Sequence, residues 1–149
     1  MSTKKRWLRS HIERLLQDEW GVCRVVADAD GDYPYRSGTA ACWIQVLDYQ
    51  RPMVRVFAHA ATGIPRSAKL LAELNDIQNR AMTATVRWYD DAVLVHQTLS
   101  PHGLNRKALR QAMQAVGGVA DDIGLLLAGM FNGATPFPAE SSAVDEQAC

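Results

Sequence analysis

Leu8, Ile12, Leu15 and Leu16 recur at spacings of three and four, with Arg9, Glu13 and Arg14 between them. That period predicts an amphipathic helix over residues 3 to about 20, with Trp7 and His11 beside the stripe. Thr3 is its expected cap and Gly21 its expected end. Residues 22 to 27 are a short β-branched run and predict a strand, followed by a long polar connection over residues 28 to 38. Two further strands are expected over residues 39 to 48 and 53 to 61. Cys42, Ile44 and Val46 share one face of the first, and Val54, Val56 and Ala58 share one face of the second. Both sets face one core only if even-numbered residues pair with even-numbered ones. The loop between them must then hold an odd number of residues, such as Gln50-Arg51-Pro52.

A second helix is predicted from residue 68 to about 79, with Ser67 as N-cap and Leu70, Leu71, Leu74 and Ile77 as its buried stripe. Residues 81 to 89 and 92 to 99 then form a tight hairpin around Asp90-Asp91. A two-residue loop sets Trp88 opposite Val93 and Val86 opposite Val95, all on the core side, so Trp88 and Val56 are expected to be nearly buried. The last helix is predicted from residue 105 to about 131, on a stripe of Leu109, Met113, Val116, Ala120, Ile123, Leu127 and Met130. Gly117-Gly118 weakens it by about 1 kcal/mol per glycine and is the place where it would bend. After Asn132-Gly133 the periodicity ends among Pro, Ser, Ala and acidic residues. Residues 1–133 are therefore expected to form one domain and 134–149 a disordered tail. Helix, three strands, helix, two strands, helix is the order of an α+β domain on an antiparallel sheet of five or six strands.

Composition narrows the partners. The 149 residues suit one domain, and 48% apolar with 21% charged content suits a globular one. The 16 basic and 16 acidic residues cancel, which argues against nucleic acid and predicts either modest solubility near neutral pH or a partner that covers surface. Lys4, Lys5, Arg6 and Arg9 are expected to be a solvated helix end. Residues 7 to 16 carry Arg9, His11, Glu13 and Arg14, so no signal peptide is expected, and no apolar run suggests a membrane span. A cytoplasmic location follows as the expectation. Cys23, Cys42 and Cys149 are odd in number and show no Cys-x-x-Cys, so no disulfide framework is expected. Cys23 and Cys42 are expected in the core and Cys149 in the tail.

Candidate chemistry is sparse. Asp28-Ala-Asp-Gly-Asp32 resembles a calcium loop at first, but Tyr33 and Thr39 stand where its glycine and closing glutamate belong. It is expected to be a turn. His11, His59, His96 and His102 show no zinc-binding spacing. Asp90-Asp91 and Asp121-Asp122 are neighbours that point apart, not acid–base pairs. No metal, cofactor or catalytic residue is expected. The informative surface is the second sheet face, with Trp43, Gln45, Arg55, Phe57, His59, Arg87, Tyr89, Leu94 and His96. Aromatics interleaved with Arg and His are what partner or dimer surfaces favour.

Several short blocks carry a resemblance. Asp30-Gly31-Asp32 in the first connection, Ile64-Pro65 before the middle helix, and Leu71 through Leu74-Asn75 to Asn79 within it are three. Trp88 before the Asp90-Asp91 turn and the closing Phe131-Asn132-Gly133 are two more. Together with the element order they resemble the YbjN family and the type III secretion chaperone-like fold, over about residues 5 to 133. Relatives usually close the last helix with Phe-Gly-Gly; the asparagine here is accepted at such a cap. The resemblance implies a non-catalytic, homodimeric module that binds a protein or peptide client, as a chaperone or regulator. The alternative is a small-molecule sensor or an enzyme with a site between sheet and helices. A structural subunit of a larger complex is a third reading.

Overall fold

The computed structural model describes residues 2–139. Helix α1 (Thr3–Trp20) is capped by Ser2, whose hydroxyl accepts from the Lys5 N–H at 3.1 Å. The cap is thus one residue earlier than expected. Gly21 ends the helix in the left-handed region, φ 62°. Leu8, Ile12, Leu15 and Leu16 are its buried stripe, as the period predicts.

The first strand is where the sequence pattern misleads. Residues 22 to 27 form no strand; Cys23 and Val26 are exposed, so Cys23 is not a core residue. Strand β1 (Tyr33–Ser37) lies instead within the expected polar connection. Tyr33 is fully buried and its hydroxyl donates to Glu13 at 2.8 Å; the Tyr35 hydroxyl donates to the Met113 carbonyl at 3.0 Å. Two inward tyrosines bury more surface than the small residues of the earlier run. Pro34 between them is tolerated because β1 is an edge strand. Before it, the Asp28 carboxylate accepts from the N–H groups of Asp30 and Asp32, both at 3.0 Å, and makes the expected turn.

Strands β2 (Ala40–Asp48) and β3 (Pro52–Thr62) pair even with even, Cys42 with Ala58 and Ile44 with Val56. The intervening loop has the odd length required, but consists of Tyr49, Gln50 and Arg51. Helix α2 (Ala68–Arg80) is capped by Ser67 and buries Leu70, Leu74 and Ile77, while Leu71 lies exposed. Strand β4 (Thr85–Tyr89) starts later than expected. The Gln78 side chain takes the Ala84 carbonyl and the Val86 N–H, occupying groups an earlier strand would need. Asp90 and Asp91 turn the chain at φ 50° and 60°, and β5 (Ala92–Leu99) returns with Trp88 opposite Val93 and Val86 opposite Val95. Trp88 is half-buried instead of buried, because β4 is the other sheet edge. Its indole N–H donates to the Ile64 carbonyl at 2.8 Å, tying the edge to the segment before α2.

The result is an α+β domain with one five-stranded antiparallel sheet of order β1-β2-β3-β5-β4. Helix α3 (Arg106–Phe131) crosses its core face without interruption, capped by Asn105. It is the one helix among the described residues that is long and apolar enough to cross a membrane, but its stripe is buried against the sheet. All stripe residues are buried except Met130. The helix runs unbroken through Gly117-Gly118. A Cβ on Gly117 would lie 2.7 Å from the Ser37 Cβ, and one on Gly124 would lie 2.5 Å from the Ala60 carbonyl oxygen. The helix therefore sits closer to the sheet than any larger residue allows. Ala60 is the extra residue of a β-bulge between His59 and Ala61, which tilts that carbonyl toward the helix.

Ordered contacts continue past the boundary expected at Gly133. Ala134 bridges to Thr62 through two backbone hydrogen bonds, and the Phe137 N–H donates to the Thr39 carbonyl at 3.0 Å. The Arg36 guanidinium lies 4.2 Å above the Phe137 ring. The rest of the expected tail, 140–149, lies outside the described residues. Truncation after Gly133 is thus expected to lower the melting temperature by several degrees. Each lost backbone hydrogen bond is worth about 1 kcal/mol and the cation–π contact about 0.5–1 kcal/mol. A calorimetric melt of the truncated chain against the full one checks this.

Candidate functional site

All three helices join one core cluster with the inward strand residues, among them Ile44, Val56, Val86 and Val95. No residue of the opposite sheet face belongs to it. The face expected to bind a partner is therefore not roofed by a helix. Every candidate residue lands on it. Trp43 pairs with Phe57, Gln45 with Arg55, Phe57 with His96 and Arg87 with Leu94. Tyr89 sits at the β4 end with 62% of its surface exposed.

Two subsites adjoin. One is aromatic. The Trp43 and Phe57 rings stack at 5.1 Å and 19°, and His59 meets Trp43 edge-on at 5.1 Å. Such pairs stabilise by about 0.5–1.5 kcal/mol beyond their area, so the stack forms without a partner. The other is a shallow open hollow of about 230 Å³, floored by Phe57 and Leu94 and edged by Arg55, Arg87, His59 and His96. Its volume is below the range usual for small-molecule pockets, about 300–1,000 Å³. It also opens away from the helices, not between helices and sheet as the small-molecule alternative expects.

Burial holds the His59 imidazole below its ordinary 6.5. Burial does the same to His96, and the nearby Arg87 and Arg55 charges add to it. A folded-state pKa below the unfolded one gives stability that is complete above 6.5 and is lost as pH falls through the lowered value. The melting temperature is therefore expected to fall as pH drops from 7 to below 6, and the His59→Gln/His96→Gln variant to flatten that part of the curve. An unchanged difference between variant and wild type across this window would contradict it. The Cys42 thiol is pushed up to about 12 by burial and is no nucleophile.

The sequence pattern missed two other surfaces. A groove of about 660 Å³ runs between the α1 start, the β2–β3 loop and the β5–α3 connection, with Trp7, Met53 and Pro101 among its walls. Trp7 is 60% exposed and stacks on His11 at 5.3 Å, so the signal was a tryptophan beside a stripe it does not join. On α3, Leu125, Leu126 and Met130 are exposed next to the buried row.

Comparison with known proteins places this architecture. The model of the T3SS (YopN, CesT) and YbjN peptide-binding chaperone family matches residues 6–139. Among solved structures, a chain of the ExsC–ExsE complex is similar at 12% identity and TM-score 0.59, over 85% of this chain and 97% of that one. A chain of the Yersinia pestis type III secretion chaperone SycH in complex with a YscM2 fragment is similar at 14% identity and TM-score 0.57, over 76% and 96%. YbjN from E. coli is similar at 19% identity and TM-score 0.52, over 86% and 95%. At these identities the likeness shows a shared fold. No curated protein sequence matches the chain.

Proposed function

We propose that this chain, which belongs to the T3SS (YopN, CesT) and YbjN family of peptide-binding chaperones, holds an extended segment of a protein client on the open face of its sheet. The observation that carries this is the preformed Trp43–Phe57 stack on a face no helix covers. Rigid aromatics give contact area at little entropic cost, which is what anchors of a binding surface supply. The function is binding, without a catalytic step. His96 in the hollow feels Arg87 and Arg55, and no carboxylate lines the hollow to pair with either histidine as acid and base. The setting is the bacterial cytoplasm, and the working form is a homodimer. Leu126 and Met130, one helical turn apart on α3 and both exposed, supply the apolar contact for an isologous interface that leaves the sheet face free.

Selection of peptides on the purified chain tests the client surface. Selected peptides are expected to bind the wild type and to lose affinity for Trp43→Ser/Phe57→Ser, which should still melt cooperatively, a few degrees lower for loss of the stack. Equal binding by both proteins moves the client site elsewhere. Light scattering of the wild type and Leu126→Glu separates the assembly question: a dimer converted to a monomer supports the α3 contact, and a monomeric wild type removes it.

A further inference from the structure

The open face is one-sided in charge as well as in shape. Its strand positions carry Arg36, Arg55, Arg87, His59 and His96 and no acid. The single acid in the five strands is Asp48, at the end of β2, and it accepts a hydrogen bond from Ser2. In a chain with 16 basic and 16 acidic residues this is an effect of placement, not of composition. Arg36 is committed to the Gly38 and Pro138 carbonyls and to Phe137. Arg55 and Arg87 are not committed to acids: the ion pairs among the described residues join Glu19 to Arg106 and Arg110. Both guanidiniums border the hollow, with His96 near enough to feel each of them. Arg55 Nε and His96 Nδ1 are shut off from solvent and have no hydrogen-bond partner. Two like charges with no acid beside them, over an apolar floor of Phe57 and Leu94, are a cost that an anion in the hollow relieves.

We propose that the hollow takes the carboxylate of an aspartate or glutamate side chain in the client segment, while an apolar side chain two residues away sits on the Trp43–Phe57 stack. This rests on the peptide-binding function proposed above and adds a sequence preference to it. The spacing follows from the strand repeat. The hollow spans β3, β5 and β4 and the stack spans β2 and β3, so the two lie across neighbouring strands about 4.7–4.9 Å apart, and an extended segment crossing the strands repeats its same-side residues at about 6.4–6.8 Å. A guanidinium pair suits a planar carboxylate. The zero net charge of the chain gives no long-range field for a polyanion, which favours an acidic side chain over a nucleic-acid backbone.

A randomised peptide library selected against the full chain is the test. The expected result is enrichment of an acid two positions from an aromatic or aliphatic residue. In a selected peptide, Glu→Gln is expected to weaken binding about tenfold, the scale of one charge-assisted contact. Arg55→Gln/Arg87→Gln should weaken the acidic peptide equally and leave the Gln peptide unaffected. If the double variant fails to fold, Arg87→Gln alone on the exposed edge strand serves. Enrichment of apolar residues without an acid overturns the carboxylate site and leaves peptide binding standing. Selection of no peptide at all overturns both. Acid preference that survives the arginine substitutions places the site elsewhere and overturns this one. So does a single-stranded oligonucleotide that displaces the acidic peptide at physiological salt, which assigns the hollow to phosphate. A wild-type dimer that Phe57→Glu dissociates also overturns it, because a second copy then covers the face.

Discussion

Val56→Asp is expected to abolish the folded domain. Val56 is fully buried at the centre of β3, opposite Ile44 on one side and Gln97 on the other. The substitution removes about 1.5–3 kcal/mol of side-chain burial. It also leaves a carboxylate without a partner, and an uncompensated buried charge costs about 3–5 kcal/mol. A domain of this size has about 5–15 kcal/mol in all. Far-ultraviolet circular dichroism should show loss of the folded spectrum at room temperature and no cooperative transition on heating. The matched control is Thr98→Asp, which puts the same charge on an exposed position of β5 on the opposite face. It should melt close to wild type. A cooperative Val56→Asp variant within a few degrees of wild type would falsify the assignment of this face to the core.

Gly124→Ala and Gly118→Ala should move stability in opposite directions. In a helix interior alanine is favoured over glycine by about 1 kcal/mol. At Gly118 nothing lies within 4 Å of the added Cβ, so that gain should appear as a higher melting temperature. At Gly124 the Cβ would sit 2.5 Å from the Ala60 carbonyl oxygen, a backbone atom of the bulged strand. Either α3 lifts off the sheet or β3 distorts, and such overpacking costs about 1–3 kcal/mol. Gly124→Leu should cost more again. Thermal melts of the single variants decide it. If Gly124→Ala proved as stabilising as Gly118→Ala, the close approach of α3 to the bulge would be wrong.

Much of the candidate face is legible in the order of residues along the strands. Trp43, Gln45, Arg55 and Phe57 project together because side chains alternate along a strand, and the even pairing of Ile44 with Val56 sets their partners. The tight Asp90-Asp91 turn carries Arg87 and Tyr89 onto the same side, and His96 follows from the return strand. How the residues sort within that face is not legible there. The stack of Trp43 on Phe57 and the gathering of Arg55, Arg87 and His96 around a hollow depend on rotamers and on β5 lying beside β3, which no local pattern encodes.

The sequence by itself determined what depends on neighbours along the chain. The helix stripes, the Ser67 cap, the two-residue turn and the parity of β2 with β3 all arise from periods of two and 3.6 and from local hydrogen bonds. Only the tertiary structure decided which segments win a place against the rest. The β-branched run at residues 22 to 27 has strand propensity, yet the edge of β2 goes to the segment with Tyr33 and Tyr35, whose rings and hydroxyls find Glu13 and Met113 on two helices. Phe137 likewise docks because Arg36 and the Thr39 carbonyl are already in place, not because its own neighbours favour order. Burial between distant segments is a competition for shared surface, and its outcome depends on the shape of everything packed around it.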